Sequence, residues 1–541
     1  MAGHTTKFEY GSMRRMTKRI DALTRQTEYE YCKCGALEKV TDALGQATLH
    51  DYDDAGRRTK TTDPDGVWVA TGYNRLGQVV SRTNALGKVT QYAYNNQGLL
   101  TQTTNNNGTL SATQYDIEDR PVSVTGATGI THTQTFDALG RLATRTDPAN
   151  QTESFGYAAT GLASRTDPLG ATTHYGYDAA GRRTSETNAL GQVVSYSYSA
   201  AGDMEELQDG KGNITRWEYD TEGRPERKRD ANNALMFQWG YDANGRLTNR
   251  QTPAKGITQY DYDVIGNLLT VDYPSSPDIT YTYDALYRLD TMQDAIGLTD
   301  YNYTNASRLQ TENGPWPSDT VTLGYNAAGQ RSSLAITQPS AYPWSQTYGY
   351  DGGNRLQTIA NTIGTFQYQY TPGQAGRQVA KLLLPGSGYI SNTNSITGQL
   401  TDTSLHYGTN TNSKLNYHGY THNAAGQRTR QTRTDNSRVD YTYDTIGQLT
   451  NADTTDALNQ AVSAETFGYA YDDAWNLSTR NAGSTNEVFT VNNLNQLTGI
   501  PSGTPGYDTN GNLTSDGGAL TCQYDDENQL ISVESMSSWP Y

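Results

Sequence analysis

The strongest constraint on this chain is a phrase it repeats. "YGYDAAGRR" at Tyr175–Arg183 returns as "YSYSAAGDM" at Tyr196–Met204, 21 residues later. Counted at the position four residues after the motif tyrosine, where glycine usually stands, the units recur from Arg14, Gly35 and Gly56 to Asn354. Gaps there are 20 to 22 residues, with a last one of 25. The ladder continues less regularly through Gly376, Gly398, Gly426, Gly447, Trp475, Asn495, Gly511 and Asn528. That makes 25 units in 541 residues, about 21.6 each (541/25). A period of this length marks an array in which each unit cannot bury a face alone and must lean on its neighbours.

One unit can be read residue by residue. An aromatic, a spacer and a tyrosine put two rings on one face of a strand, because side chains i and i+2 point the same way. The next residues, D-x-x-G, are a turn: the aspartate bonds the backbone two residues on, and the glycine accepts a positive φ. A second short strand follows, such as "RRTSET", and then a second turn, "DPDG" at Asp63–Gly66, "DPLG" at Asp167–Gly170 or "NALG" at Asn188–Gly191. Each unit is thus a β-hairpin of two strands of about six residues, with connections too short for crossover helices. The residues expected to carry this structural motif are Tyr52, Asp53 and Gly56; Tyr94 and Gly98; Phe136, Asp137 and Gly140; Tyr175, Tyr177, Asp178 and Gly181. The same slots hold Tyr219, Asp220 and Gly223; Tyr241, Asp242 and Gly245; Tyr262, Asp263 and Gly266; and Tyr443, Asp444 and Gly447. The expected fold class is all-β: about 50 antiparallel strands in one continuous spiralling sheet, since an open sheet that wide has to curl.

Composition sets limits on function. Hydrophobic residues are 34% of the chain, and 40 tyrosines stand against 7 phenylalanines and 7 tryptophans. Tyrosine favours half-buried pleated surfaces, so the low apolar content reads as ordered β-structure. A net charge of −16 argues against nucleic acid, which asks for a clustered basic face. The densest basic stretch, "RRMTKR" at Arg14–Arg19, reads as a solvated strand face. No run reaches the ~18–20 apolar residues of a membrane-spanning helix, and no signal peptide opens the chain.

No candidate chemistry outweighs a structural reading. Cys32 and Cys34 in "CKC" could grip a soft metal, but a structural zinc site wants four ligands, and Cys32 stands in the aspartate slot of a turn. Cys522 takes an aromatic slot and reads as a packed free thiol. His418 and His422 lack a partnered acid, and the repeated aspartates offer no twelve-residue calcium loop. No nucleophile elbow, zinc-protease or phosphate-loop string is present. The expectation is therefore no enzyme, no catalytic residues, no metal and no cofactor. Insertions of about seven residues before Gly426 and Trp475, and the aliphatic cluster Leu382–Pro385, read as loop decoration ahead of a plug or contact surface.

"FDALGRLATRTDP" (Phe136–Pro148) and "YDANGRLTNRQTP" (Tyr241–Pro253), with "DPLG" and "NALG" between copies, resemble the YD-repeat or Rhs-repeat family over essentially the whole chain. That family includes bacterial polymorphic toxins, cocoon components of insecticidal toxin complexes, and teneurins. The resemblance implies a hollow shell, secreted or at a bacterial cell surface, enclosing a C-terminal toxin or cargo domain that this chain lacks. The alternative it leaves is an extracellular adhesion or carbohydrate-binding array, with glycans or self-association as partners. The organisation expected is a single array over 1–541, regular over 10–354 and irregular and decorated over 355–541. Both ends fall in phase with the repeat, which suggests a segment of a longer chain. Each aspartate of "DPDG" and "DPLG" sits at the repeat period, so no protease role is carried onto it.

Overall fold

The computed structural model describes residues 5–339, 341–408, 414–518 and 520–535. It is built of 51 strands, and the one helical element among the described residues is a single 3-10 turn at Ser463–Glu465. From Lys7–Tyr10 to Thr485–Val488 each strand pairs antiparallel with the next, which makes one sheet of 45 strands. The continuous sheet expected for the whole chain ends there. A two-stranded piece (Thr490–Val491 with Leu497–Gly499) and a four-stranded piece (Gly506–Tyr507 to Leu530–Ser535) complete the chain. The shortened units near the C-terminus yield strands of two or three residues, too few to carry the ladder across each turn.

Both turns of a unit share one geometry. At Asp178–Gly181 the glycine N–H donates to the Asp178 carbonyl (3.0 Å) and the Asp178 N–H to the Arg182 carbonyl (3.0 Å). Oδ1 of Asp178 accepts the N–H groups of Ala180 and Arg182, both at 2.9 Å. This is a turn closed by a residue in the left-handed region, the hairpin form that such a residue permits. Of the 25 anchor positions, all but Gly376 have positive φ. The exception corrects the reading of that unit: the turn there is made by Gly373 (φ +73°), three residues earlier in "TPGQAGR".

One asymmetry bends the strip. Beside the turn after the motif tyrosine the register slips by one residue: Gly176 pairs with Ser185 but Tyr177 with Arg183. The far end of the same strand pairs without a slip, Ser185 with Ser195 and Thr187 with Val193. The slip recurs at Tyr52, Tyr94, Tyr198, Tyr219, Tyr241 and Tyr283. A β-bulge increases local twist and bends its strand. Slips at the opposite edge are fewer, as at Thr103–Thr104 and Lys228–Arg229, so bulges concentrated on one edge add up and the strip coils.

Contacts between residues 241 to 286 positions apart record the coil. One turn of the spiral therefore takes about 12 units. At ~4.8 Å per strand, roughly 24 strands give a circumference near 115 Å and a mid-wall radius of ~18 Å. The wall has almost no interior: among the described residues the buried apolar ones are Val271, Leu323, Ala375, Tyr389, Val439 and Ala452, and none of their side chains is fully enclosed. The chain's accessible surface is 30106 Å², where a compact fold of 59.3 kDa would expose ~19,000 Å². A single-layered sheet, wet on both faces, accounts for the excess.

Leu382–Pro385 is part of this wall, the end of strand Val379–Leu383 and the turn after it, all half-buried. The insertion before Gly426 lengthens a hairpin: strands Leu400–Tyr407 and Lys414–His422 run to 8 and 9 residues, with 409–413 between them outside the described residues.

The turn geometry sets a first prediction. Gly181 has φ +77°, and a Cβ there meets only open space, with the Thr160 carbonyl 3.9 Å away. Substitution is then limited by backbone strain alone. Gly181→Val should cost on the order of 1–3 kcal/mol and Gly181→Asn clearly less, measured by urea denaturation.

Candidate functional site

A single-layered wall functions only if its units stay joined, so the joint between successive hairpins is the site that matters. In most units the second tyrosine of the aromatic pair makes it. The Tyr198 hydroxyl donates 2.7 Å to the carbonyl of Arg183, the first strand residue after the preceding turn. Tyr52 donates to Leu37, Tyr94 to Val79, Tyr219 to Met204, Tyr241 to Pro225, Tyr283 to Leu268 and Tyr443 to Arg428, at 2.7–2.9 Å. Fifteen units carry this bond, usually to a residue 15 positions back. The carbonyl it reaches lies at the bulge, where the ladder is locally disrupted. The tyrosine supplies a partner there.

Arginine is the second clasp. Arg182 Nε bonds Oδ2 of its own Asp178 (2.7 Å), Nη1 reaches the Ser199 carbonyl of the next turn (2.9 Å), and its Cζ lies 4.8 Å from the centre of the Tyr198 ring. Arg57 bridges Asp53, the Asn74 carbonyl and Tyr73 in the same way. Arg246 bridges Asp242, the Asp263 carbonyl and Tyr262, and Arg224 bridges Asp220, the Asp242 carbonyl and Tyr241. The arginine after the glycine stands in every quoted "GR" yet is absent from the motif residues named from sequence. Its recurrence was the available signal. Where glutamine replaces it the reach persists, as with Gln78 Nε2 to the Gly98 carbonyl (3.2 Å).

The remaining motif residues fall as follows. Phe136, without a hydroxyl, receives only the Arg120 guanidinium, 5.1 Å from its ring centre. The Tyr177 ring lies 3.3–3.5 Å from where a Cβ on Gly161 would stand, and Tyr175 lies under Arg183 at 4.5 Å. Oδ1 of Asp263 accepts three backbone N–H groups and that of Asp444 two. Asp137 accepts from Leu139 and Arg141. Gly56, Gly98, Gly140, Gly223, Gly245, Gly266 and Gly447 all have positive φ.

A second set of contacts joins the two coils along a seam. Second turns of the first coil meet tyrosine-side turns of the second. Arg308 pairs with Asp63 and Asp65, Asn107 with Asp351 (2.8 Å), Lys211 with Asp472 (3.0 Å), Asn495 with Asp209 (2.9 Å) and Arg250 with Glu527 (2.8 Å). The carboxylate of Asp526, 2% exposed, accepts the N–H groups of Ser275 (2.9 Å) and Ser276 (2.6 Å). Among the described residues, no hydrogen bond or ion pair crosses between the first-coil turns at 147–151 and 167–171 and the second coil. Clefts lined by Arg165, Asp167, Asp444 and Trp475 lie there.

Cys32 and Cys34 are joined in a disulfide within one turn, so they form neither a free metal pair nor a plain turn variant. Cys522 is a half-buried free thiol facing Val533 across the ladder. His418 and His422 lie on one strand, and His418 Nδ1 meets the Gln431 amide at 2.9 Å. Among the described residues, no group of three or more His, Cys, Asp or Glu is placed to hold a metal ion. No helix among them is long and apolar enough to cross a membrane.

Comparison with known proteins agrees with this geometry. The teneurin YD-shell family matches residues 169–311, and the RHS repeat matches 35–67 and 73–110. Over those stretches the chain is similar to the YD-repeat, or RHS-repeat, family. No curated protein matches the chain in sequence. Solved structures do match in fold. The TcdB2-TccC3-Cdc42 crystal structure superposes with a TM-score of 0.60 at 13% identity, over 98% of this chain and 38% of that one. A Photorhabdus luminescens Tc holotoxin pore gives 0.58 at 14%, over 99% and 30%. TcdB2-TccC3-TEV gives 0.53 at 14%, over 98% and 32%. This chain thus spans about a third of the length of these structures.

Two predictions follow from the joint. Tyr198→Phe removes one latch and leaves the Arg183 carbonyl to water, which should cost about 1 kcal/mol in urea denaturation with little change in the β-signal. The second concerns pH. The backbone N–H and then the guanidinium of the arginine four residues on hold the carboxyls of Asp116, Asp137, Asp178 and Asp242 below the ordinary carboxylate range. Their contribution is complete above the unfolded carboxyl value near 4 and is lost as pH falls through the lower folded values. Thermal melting followed by circular dichroism should show a plateau from pH 5 to 7 and a fall below pH 4.

Proposed function

We propose that this chain is the structural wall of a shell that encloses or presents a polypeptide cargo, a C-terminal toxin domain being the class of cargo. The observation that carries the reading is the coil. Two coils of ~18 Å mid-wall radius, each ~20 Å tall, with ~5 Å removed for half the wall, leave a lumen on the order of 20,000 Å³. That is room for about 100 residues of compact chain. The wall is built mostly of polar residues, with apolar side chains such as Leu49, Val69 and Ile257 exposed among them, so a cargo held unfolded meets little apolar surface on which to collapse.

Similarity in fold to toxin-complex structures supports the same reading. The array is proposed to be one unit over 1–541, regular to 354 and decorated beyond, working as part of a longer secreted or cell-surface bacterial protein. Its motif residues act structurally and not as catalysts. Adhesion through stacked aromatics needs tyrosines bare in rows. Among the described residues, only Tyr10, Tyr342 and Tyr407 are exposed, while the paired tyrosines are half-buried in the joints. This disfavours a glycan-binding array.

Small-angle scattering of the purified chain tests the container. The expected profile is that of a hollow cylinder, with a form-factor minimum set by the ~18 Å wall radius. A profile fitted by a solid particle of the same mass would sink the container and leave a filled solenoid.

A further inference from the structure

The turn at Cys32–Gly35 occupies a slot where most units place a capping aspartate or asparagine, and here two sulfurs two residues apart are joined. Its backbone bonds are those of its neighbours: the Gly35 N–H donates to Cys32 (2.9 Å) and the Cys32 N–H to Ala36 (3.0 Å). The unit before it starts with Gly11, which has no side chain to cap anything, and makes the same two bonds at 2.9 Å. The turn therefore needs no staple. In the chain-entropy picture the stabilisation from a cross-link grows with the loop it closes, and this loop is nearly the shortest one can be. The bond is dispensable for the fold, which leaves its chemistry.

That chemistry is accessible. Cys34 and Lys33 are exposed. The Arg15 guanidinium lies against the turn, its Cζ 2.9 Å from where a Cβ on Gly35 would stand and 5.6 Å from the centre of the Tyr31 ring. Positive neighbours stabilise a thiolate and so improve it as a leaving group. The turn also lies on the tyrosine-side edge of the first coil, whereas the seam is built from that coil's opposite edge. The second coil does not cover it.

We propose that Cys32–Cys34 is a thiol–disulfide exchange site on the free rim of the shell, with an accessible thiolate as its substrate. The incoming thiolate attacks Cys34 Sγ and forms a mixed disulfide. The Cys32–Cys34 bond breaks, and its electron pair leaves on Cys32 Sγ as a thiolate in the turn that the Arg15 guanidinium lies against. A second thiolate then attacks the substrate sulfur of the mixed disulfide, releasing an oxidised substrate disulfide and the protein dithiol. Two thiols are oxidised for one protein disulfide reduced.

The test uses the full chain with Cys522→Ser, so that these are its only sulfhydryls, and glutathione as the probe. Native protein treated with reduced glutathione and quenched in acid should show the mass of one added glutathione, mapped to Cys34. Full reduction should proceed without denaturant and move the melting midpoint by less than about 2 °C. In the reduced protein, Arg15→Gln should slow alkylation at pH 7 several-fold, because the thiolate fraction falls. A bond that opens only in denaturant would overturn the proposal, as would a melting midpoint that drops by ~5 °C or more on reduction, the mark of a structural staple. Cys32→Ser/Cys34→Ser supplies the control: it must fold with the same β-signal and take up no glutathione.

Discussion

A sheet one layer thick has no interior to hold it together, so everything in this protein depends on the lateral joint between hairpins. Strand pairing alone would leave a floppy ribbon with a weak point at every bulge. The tyrosine hydroxyl closes that point by bonding the carbonyl beside the bulge, and the arginine clamps its own turn to the next. Each bond is worth only about 1 kcal/mol net. Repeated at most joints they hold a strip in which each unit touches mainly its neighbours, so damage to one unit stays local.

The same joint controls shape. Bulges are concentrated on one edge of the strip, so the net curvature has one sign and the ribbon returns over itself after about 12 units. The returning edge then meets a matched partner. First-coil turns bring Asp63, Asp65 and Asp209, and second-coil turns bring Arg308 and Asn495. The seam is largely polar because mostly turns meet there, and turns are made of Asp, Asn and Gly. Shell building thus needs no apolar core, which explains how a chain with 34% hydrophobic residues stays ordered.

Much of the candidate site could be read from sequence. Tyrosine, aspartate and glycine recur at constant offsets, and each has one local task. The arginine escaped because its partners lie in the following unit: its carbonyl contact is typically 17 residues on. The tyrosine ring was anticipated as packing, but its hydroxyl's target, about 15 residues back, depends on how two hairpins sit side by side. Gly376 was misplaced for a different reason. "TPGQAGR" offers two glycines, and sequence spacing cannot say which one enters the left-handed region. The Cys32–Cys34 bond was passed over because the first cysteine stood so plainly in an aspartate slot.

By itself the sequence determined the hairpin, its period and the places of its turns. These depend on residues a few positions apart: an aspartate that caps its own turn and a glycine that tolerates positive φ. Only the tertiary structure decided the coil. Its pitch is the sum of many small bends, its seam pairs residues 241 to 286 positions apart, and the sheet breaks after Val488, where strands shorten to two or three residues. None of these leaves a local mark in the chain, because a seam partner is selected by accumulated twist and not by any neighbouring residue.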